Sequence, residues 1–156
     1  NQAKINTDFR RTTVAAKECL KRTGHTSSAI ELEDGIIVTA HSSLLLGCSA
    51  ALLLNVMKHL AGIDHDTKLI PQSMIEPIQY TKVNYLGGHN PRLHTDEVLV
   101  ALSVLSNVDE RCSRALAQLP KLRGCQVHCT VMLSEVDQKI FKKLGVNLTC
   151  EPVLKK

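Results

Sequence analysis

The 156 residues, 44% of them hydrophobic, suffice for one buried core. The formal charge of +4 is dispersed, with basic residues clustering no further than pairs, which excludes the concentrated stripe that nucleic-acid binding needs. Aromatic residues make up 3% and Trp is absent, so the core must be aliphatic and a base-stacking surface is excluded.

The predicted elements follow in chain order. Thr7 is expected to cap a first helix to about Thr23, with Phe9, Thr13, Ala16 and Leu20 as its apolar stripe and Gly24 as its stop. Ser28 to Glu33 alternates as a strand. Asp34-Gly35 is the preferred pair for a two-residue hairpin turn, and Ile36 to Ala40 returns as a second, more fully buried strand. Ser42 or Ser43 is expected to cap a second helix to about Ala61, apolar on almost every face. Such a helix must be buried on all sides, and one hairpin cannot cover it, so a larger sheet, another domain, upstream residues or a partner subunit is expected against parts of it. The uncharged run between His41 and Lys58 is shorter than the roughly 20 residues of a membrane span, so no membrane partner is expected.

Between residues 63 and 94, Pro71 and Pro77 predict short helical pieces. Gly87-Gly88 and Pro91 mark a loop, and Thr95 begins a segment, Asp96 to Ser106, that fits a buried helix or a strand, with the cap residue and the Asp96-Glu97 first turn favouring helix. Asn107 with Glu110 resembles a capping box for a helix to Leu119, broken by Pro120. A strand, Cys125 to Leu133, a helix, Glu135 to Leu144 capped by Ser134, and a strand, Val146 to Cys150, form a parallel crossover. The fold class is therefore α/β, a three-layer sandwich with a mixed sheet, in one domain over residues 1–156.

Six cysteines, at 19, 48, 112, 125, 129 and 150, lack the dense spacing of a disulfide framework. No secretory signal opens the chain, so reduced, metal-free thiols and a cytoplasmic location are expected. Asn1 stands where an initiator Met would, which suggests that upstream sequence has been removed.

Five stretches carry a family resemblance: Ile30-Glu-Leu-Glu-Asp-Gly35, Leu45-Leu-Gly-Cys-Ser-Ala-Ala-Leu-Leu-Leu-Asn55, Gly88-His-Asn-Pro-Arg-Leu-His-Thr-Asp-Glu-Val-Leu99, Gln118-Leu-Pro-Lys-Leu-Arg-Gly-Cys125 and Phe141-Lys-Lys-Leu-Gly-Val-Asn-Leu-Thr-Cys-Glu-Pro152. In this order they resemble the C-terminal part of the domain of unknown function 1846 family, which is mostly bacterial. The resemblance implies a C-terminal fragment of a larger protein and no established activity. It also implies an upstream phosphate-loop-like stretch, so a nucleotide is possible for the full-length protein, with no cofactor in this segment. His41 and Cys129 depart from the family pattern, where Lys and Ser are common.

The order helix, hairpin, helix, then strand–helix–strand resembles cytidine-deaminase-like topology, but the zinc motifs are missing. Those enzymes open one helix with His-x-Glu and another with Pro-Cys-x-x-Cys. Here His41-Ser42-Ser43 lacks the Glu, and Leu133-Ser134-Glu135 lacks the cysteine pair. Cys125 and Cys129, four apart on a strand, stand about 13 Å apart. Tetrahedral zinc needs sulfurs within about 4 Å, so packed thiols are the better reading and no metal is expected. Ser49 falls inside the predicted helix and is read as a close-contact residue. His59, Asp64, His65 and Asp66 are read as cap and turn residues.

The best ligand candidate is the loop at 87–95, with His89, Asn90, Arg92, His94 and Thr95; weaker candidates are His41, Ser42 and Ser43. Glycines admit a close ligand, the helix start offers N–H donors, and Arg92 can grip phosphate or carboxylate. The alternative is an ordered connector in which Arg92 pairs with a carboxylate. The leading expectation is an accessory or substrate-side domain of a nucleotide-dependent cytosolic enzyme, with an anion-contacting loop. The rival is a non-catalytic structural or oligomerisation module. The partners expected are further copies of this chain in a homo-oligomer, upstream domains of the same chain, or both.

Overall fold

Strand alternation before Asp34 builds the middle of the molecule. A computed structural model describes the backbone of residues 2–152 and the side chains of residues 11–152. β1 (Ser27–Glu31) and β2 (Ile37–His41) pair as the expected antiparallel hairpin, Ser27 opposite His41 and Glu31 opposite Ile37. The turn is not the two-residue type. Leu32 N–H donates to the Ile36 carbonyl and Gly35 N–H to the Leu32 carbonyl, leaving a three-residue loop. Gly35 takes φ 87°, while no described non-glycine residue has positive φ. The longer loop spares Asp34 a strained backbone, and its Oδ1 accepts from Ile36 N–H instead.

β3 (Gln126–Cys129) pairs antiparallel with β1 on its other side, and β4 (Asn147–Cys150) extends the sheet parallel to β3. The order is β2-β1-β3-β4. This reverses one expectation: β1 is the buried strand and β2, at the edge, is largely half-buried. Both later strands are shorter than their apolar runs. The α6 helix (Glu135–Leu144) links β3 to β4 as expected, capped by Ser134 and ended by Gly145.

Helices cover both sheet faces. α1 (Gln2–Thr23) lies on the face of Ala29 and Glu31, where Arg11 pairs with Glu31 and Ala16 is fully buried. It is already helical at Thr7; the side chains of Thr7 and Phe9 lie outside those described. α2 (Cys48–Ala61) lies on the opposite face, where Ser28 Oγ donates to the Cys48 carbonyl at 2.9 Å.

α2 begins later than the serines predicted. Residues 42–47 form a bend and a single bridge instead: Ser43 N–H donates to the Leu46 carbonyl, and Leu93 fixes the segment, its N–H donating to the Leu45 carbonyl and its carbonyl accepting from Gly47 N–H. Leu52, Leu53, Val56 and Met57 are fully buried, against the sheet and against α4 (Thr95–Leu105) and α5 (Glu110–Leu116). These faces of the helix are therefore covered from within the domain, by the larger sheet that is one of the expectations for it.

α3 (Gln72–Asn84) is one helix rather than pieces. Pro77 leaves the Ser73 carbonyl without its helical donor, but both residues are exposed, so water can serve it. Asp109, not Asn107, caps α5, because its side chain accepts from Arg111 N–H. Pro120 then falls within a 3-10 turn, Leu119–Leu122. Among the described residues no helix is long and apolar enough to cross a membrane.

Candidate functional site

Strand directions gather chemistry at one end of the sheet. β1 runs against β2 and β3, so the start of β1, the end of β2 and the ends of β3 and β4 lie together. In open α/β sheets this is where ligands bind. Two polar sites form near it, and they differ in kind.

The first is a sealed junction. Asp137 sits in the first turn of α6, where its N–H is held by Ser134 Oγ at 3.3 Å. Its carboxyl group is fully buried. Oδ1 accepts from Thr95 N–H at 3.0 Å and from Thr95 Oγ1 at 2.6 Å, while Oδ2 accepts from Ser49 Oγ at 2.9 Å. One side chain thus ties the starts of α2, α4 and α6, the ends of helices that favour negative charge. Ser49 lies in the first turn of α2, not deep inside it, and its hydroxyl serves this junction. Three residues after the Ser134 cap, Asp137 reads as a local first-turn residue; its long-range partners carry no sequence signal.

The loop at 87–95 is built as a brace. Gly87 has φ 75°, and a Cβ on Gly88 would stand 3.1 Å from the Lys82 carbonyl oxygen, so both positions favour glycine. Asn90 Oδ1 accepts from Arg92 N–H at 3.0 Å. Arg92 Nε donates to the Ser43 carbonyl at 2.5 Å, and no ion pair of Arg92 is found among the described residues. Thr95 is committed to Asp137. His94 caps α4, its N–H donating to Glu97 Oε1 at 2.8 Å. His89 is exposed. The five loop candidates therefore do not converge on one point.

Lys82, which the sequence reading missed, holds this loop from α3. Its Nζ donates to Glu97 Oε1 at 2.8 Å and to the Arg92 carbonyl at 2.7 Å. Burial pushes the Glu97 carboxyl up, but hydrogen bonds from His94 and Lys82 outweigh it and hold the group at about 2.

The second site is an open cleft of about 590 Å³ beside the β2 edge. His41 and Ser43 line it. Ser42 instead is buried, and its Oγ accepts from Thr26 Oγ1 at 3.0 Å. Arg22, Lys58 and Lys68 bring three cations to the lining against one carboxylate, Asp66. Lys58 Nζ donates to the carbonyls of His65 and Thr67, at 2.7 and 3.2 Å, which fixes the loop after α2. Burial pulls the Lys58 ammonium down, Lys68 adds to this, and Asp66 and Asp64 oppose it. Asp64 forms the turn expected of it, accepting from Asp66 N–H at 3.0 Å. Arg92 meets the cleft indirectly, through Ser43. Such a lining suits an anion held by Coulomb attraction and hydrogen bonds. Among the described residues no cluster of three or more His, Cys, Asp or Glu is arranged to hold a metal.

Comparison with known proteins places this geometry in a family. A UPF0371 protein of Corynebacterium urealyticum is 55% identical over 147 residues, covering 94% of this chain and 30% of its own length. One from Corynebacterium glutamicum is 50% identical over 152 residues, covering 97% of this chain and 31% of its own. One from Streptococcus pyogenes is 43% identical over 153 residues, covering 98% of this chain and 31% of its own. The chain thus spans about 30% of the length of the curated relatives it matches. The family model described as domain of unknown function DUF1846, C-terminal, matches residues 8–156, and the chain belongs to that family.

Proposed function

We propose that this chain is the ligand-side domain of a longer, nucleotide-dependent cytosolic enzyme, and that the β2-edge cleft holds the anionic part of its ligand. The observation that carries the reading is the lining itself, three cations against one carboxylate in an open cleft of about 590 Å³. The loop at 87–95 shapes this cleft through the Arg92–Ser43 bond, with upstream domains completing the site. The element order and the strand order support a cytidine-deaminase-like scaffold, on which the sheet end is the place for a ligand. Its zinc chemistry has no counterpart, because α2 opens with Cys48-Ser49 and α6 with Glu135-Val136.

A specific observation favours the rival reading, a structural or oligomerisation module. Tyr80, Tyr85 and Leu86 at the end of α3 are 57%, 72% and 75% exposed, and the two tyrosine rings meet edge-on with centroids 5.7 Å apart. Exposed apolar residues gathered together mark association surfaces.

One experiment separates the two. Melting temperatures of the intact protein are measured with pyrophosphate and with ATP, alongside the double variant Arg22→Gln, Lys68→Gln. Both side chains are exposed, so the fold tolerates the changes. The expected result is a stabilisation by either anion that weakens with salt and falls about tenfold in affinity in the variant. No anion response, together with an oligomer that dissociates in Leu86→Ser, would establish the rival.

A further inference from the structure

The α2 side of the sheet carries a thiol arrangement unlike the other cysteines. Cys129 and Cys150 are register partners on the parallel strands β3 and β4. The Cys129 thiol hydrogen-bonds with both Cys150 and Cys48, the first residue of α2. By contrast, Cys19, Cys112 and Cys125 each meet a backbone carbonyl, of Ala40, Leu69 and Lys121. No disulfide joins any of the six. Cys48 and Cys129 are fully buried, whereas Cys150 reaches solvent. Neighbouring strands lie about 4.8 Å apart. That spacing falls inside the Cα separation of about 4.4–6.8 Å that a disulfide spans.

We propose that Cys150 and Cys129 form a hydroperoxide-reactive thiol pair, with Cys150 the attacking sulfur and Cys129 the resolving one, closing a disulfide between β4 and β3. The Cys150 thiolate attacks the terminal oxygen of the hydroperoxide. A sulfur–oxygen bond forms, the oxygen–oxygen bond breaks, and the departing alkoxide takes up the proton that Cys150 gave to solvent. The Cys129 sulfur then attacks the Cys150 sulfenic acid, and hydroxide leaves with the Cys129 proton as water. Two thiols lose two electrons and two protons in total, and the hydroperoxide becomes an alcohol and water.

The surroundings favour these roles. The Cys129 thiol donating to Cys150 lowers the Cys150 thiol to about 7; burial opposes this, Leu133 N–H assists it, and Asp137 opposes it. Cys129 is shifted up, first by that same bond to Cys150, then by Cys48 and by burial, so it keeps its proton until the second step. The titratable groups facing Cys150 are therefore Cys129 on β3 and Asp137 on α6, with Cys48 beyond Cys129. A half-ionised, accessible thiol beside a protonated one is the arrangement of a redox pair.

The test treats the intact protein with hydrogen peroxide, alkylates the remaining thiols and maps the products by mass spectrometry. A Cys129–Cys150 linkage is expected. Cys129→Ser should leave Cys150 as a sulfenic acid that dimedone captures, Cys150→Ser should abolish the linkage, and Cys48→Ser should retain it. In the unmutated protein, which needs no variant to fold, Cys150 alkylation should rise about tenfold from pH 6 to 8 and then level off. A Cys48–Cys129 linkage, or Cys150 reacting no faster than Cys19, overturns the proposal. So does an alkylation rate that climbs unchecked to pH 9.

Discussion

The sealed junction and the open cleft use similar residue types to opposite ends. At Asp137, a buried carboxyl group accepts three donors, all from this chain. In the cleft, Arg22 and Lys68 are exposed and enter no ion pair among the described residues. A satisfied, buried polar group holds helices in place, because nothing external can better its bonds. An exposed cation beside a concave wall keeps its capacity for a ligand. Thr95 shows how sharply burial decides the matter: a hydroxyl at a helix start, expected to greet an anion, already has its anion in Asp137.

The largest expected effect follows from removing that internal anion. Asp137→Ala leaves Thr95 N–H and two hydroxyls without their buried acceptor, and each loses about 1–3 kcal/mol. Some repartnering among the hydroxyls leaves a net destabilisation of about 3–5 kcal/mol, read by urea unfolding. Pyrophosphate should still stabilise the variant. If it unfolds no more easily but loses the anion response, the junction and the cleft are one site and the contrast fails.

Lys82 tests the brace between the two regions. Lys82→Met removes the ammonium from Glu97 and the donor from the Arg92 carbonyl, at about 1–2 kcal/mol near neutral pH. The pH dependence has a definite sign. The Glu97 carboxyl sits at about 2 in the fold against an ordinary value of 4.5. Its stabilisation is therefore complete above about 4.5 and lost as pH falls towards 2. The gap between the variant and the unmodified protein should be widest above pH 5 and narrow towards pH 2, to the part that the Arg92 carbonyl contributes. A gap independent of pH would show that Lys82 acts through Arg92 alone.

Much of the scaffold was legible because it is written in local signals. The hairpin, the crossover through α6 and its Ser134 cap depend on alternation, glycine stops and capping residues. What escaped is tertiary. Leu45, Leu46 and Gly47 look helical beside Leu52 to Leu54, yet bonds to the distant Leu93 hold them in a bend and an isolated bridge. β2 is richer in β-branched residues than β1, but being an edge strand follows from β3 choosing β1. Asp137 reads as a local first-turn residue until Ser49 and Thr95 arrive from far along the chain. Of the candidate residues, His41 and Ser43 do line the cleft, while Arg22 and Lys68 reach it only because α1 and the loop after α2 meet there.

The smallest effect is the most discriminating for the loop. Arg92→Lys keeps the charge but removes the Nε donor that fixes the Ser43 carbonyl. Ser43 lines the cleft, so its wall should loosen. Because the bond lies near the surface, stability should change by less than about 1 kcal/mol. If Arg92 acts as a brace, pyrophosphate affinity should weaken about two- to fivefold, less than in the Arg22, Lys68 double variant, and its salt dependence should stay the same, since the charge is retained. If Arg92 grips the anion with its planar fork, the loss should instead match or exceed that of the double variant, because an ammonium cannot reproduce two parallel hydrogen bonds. Titration calorimetry at two salt concentrations separates the outcomes, and the second would move the ligand's contacts from the cleft floor to the loop at 87–95.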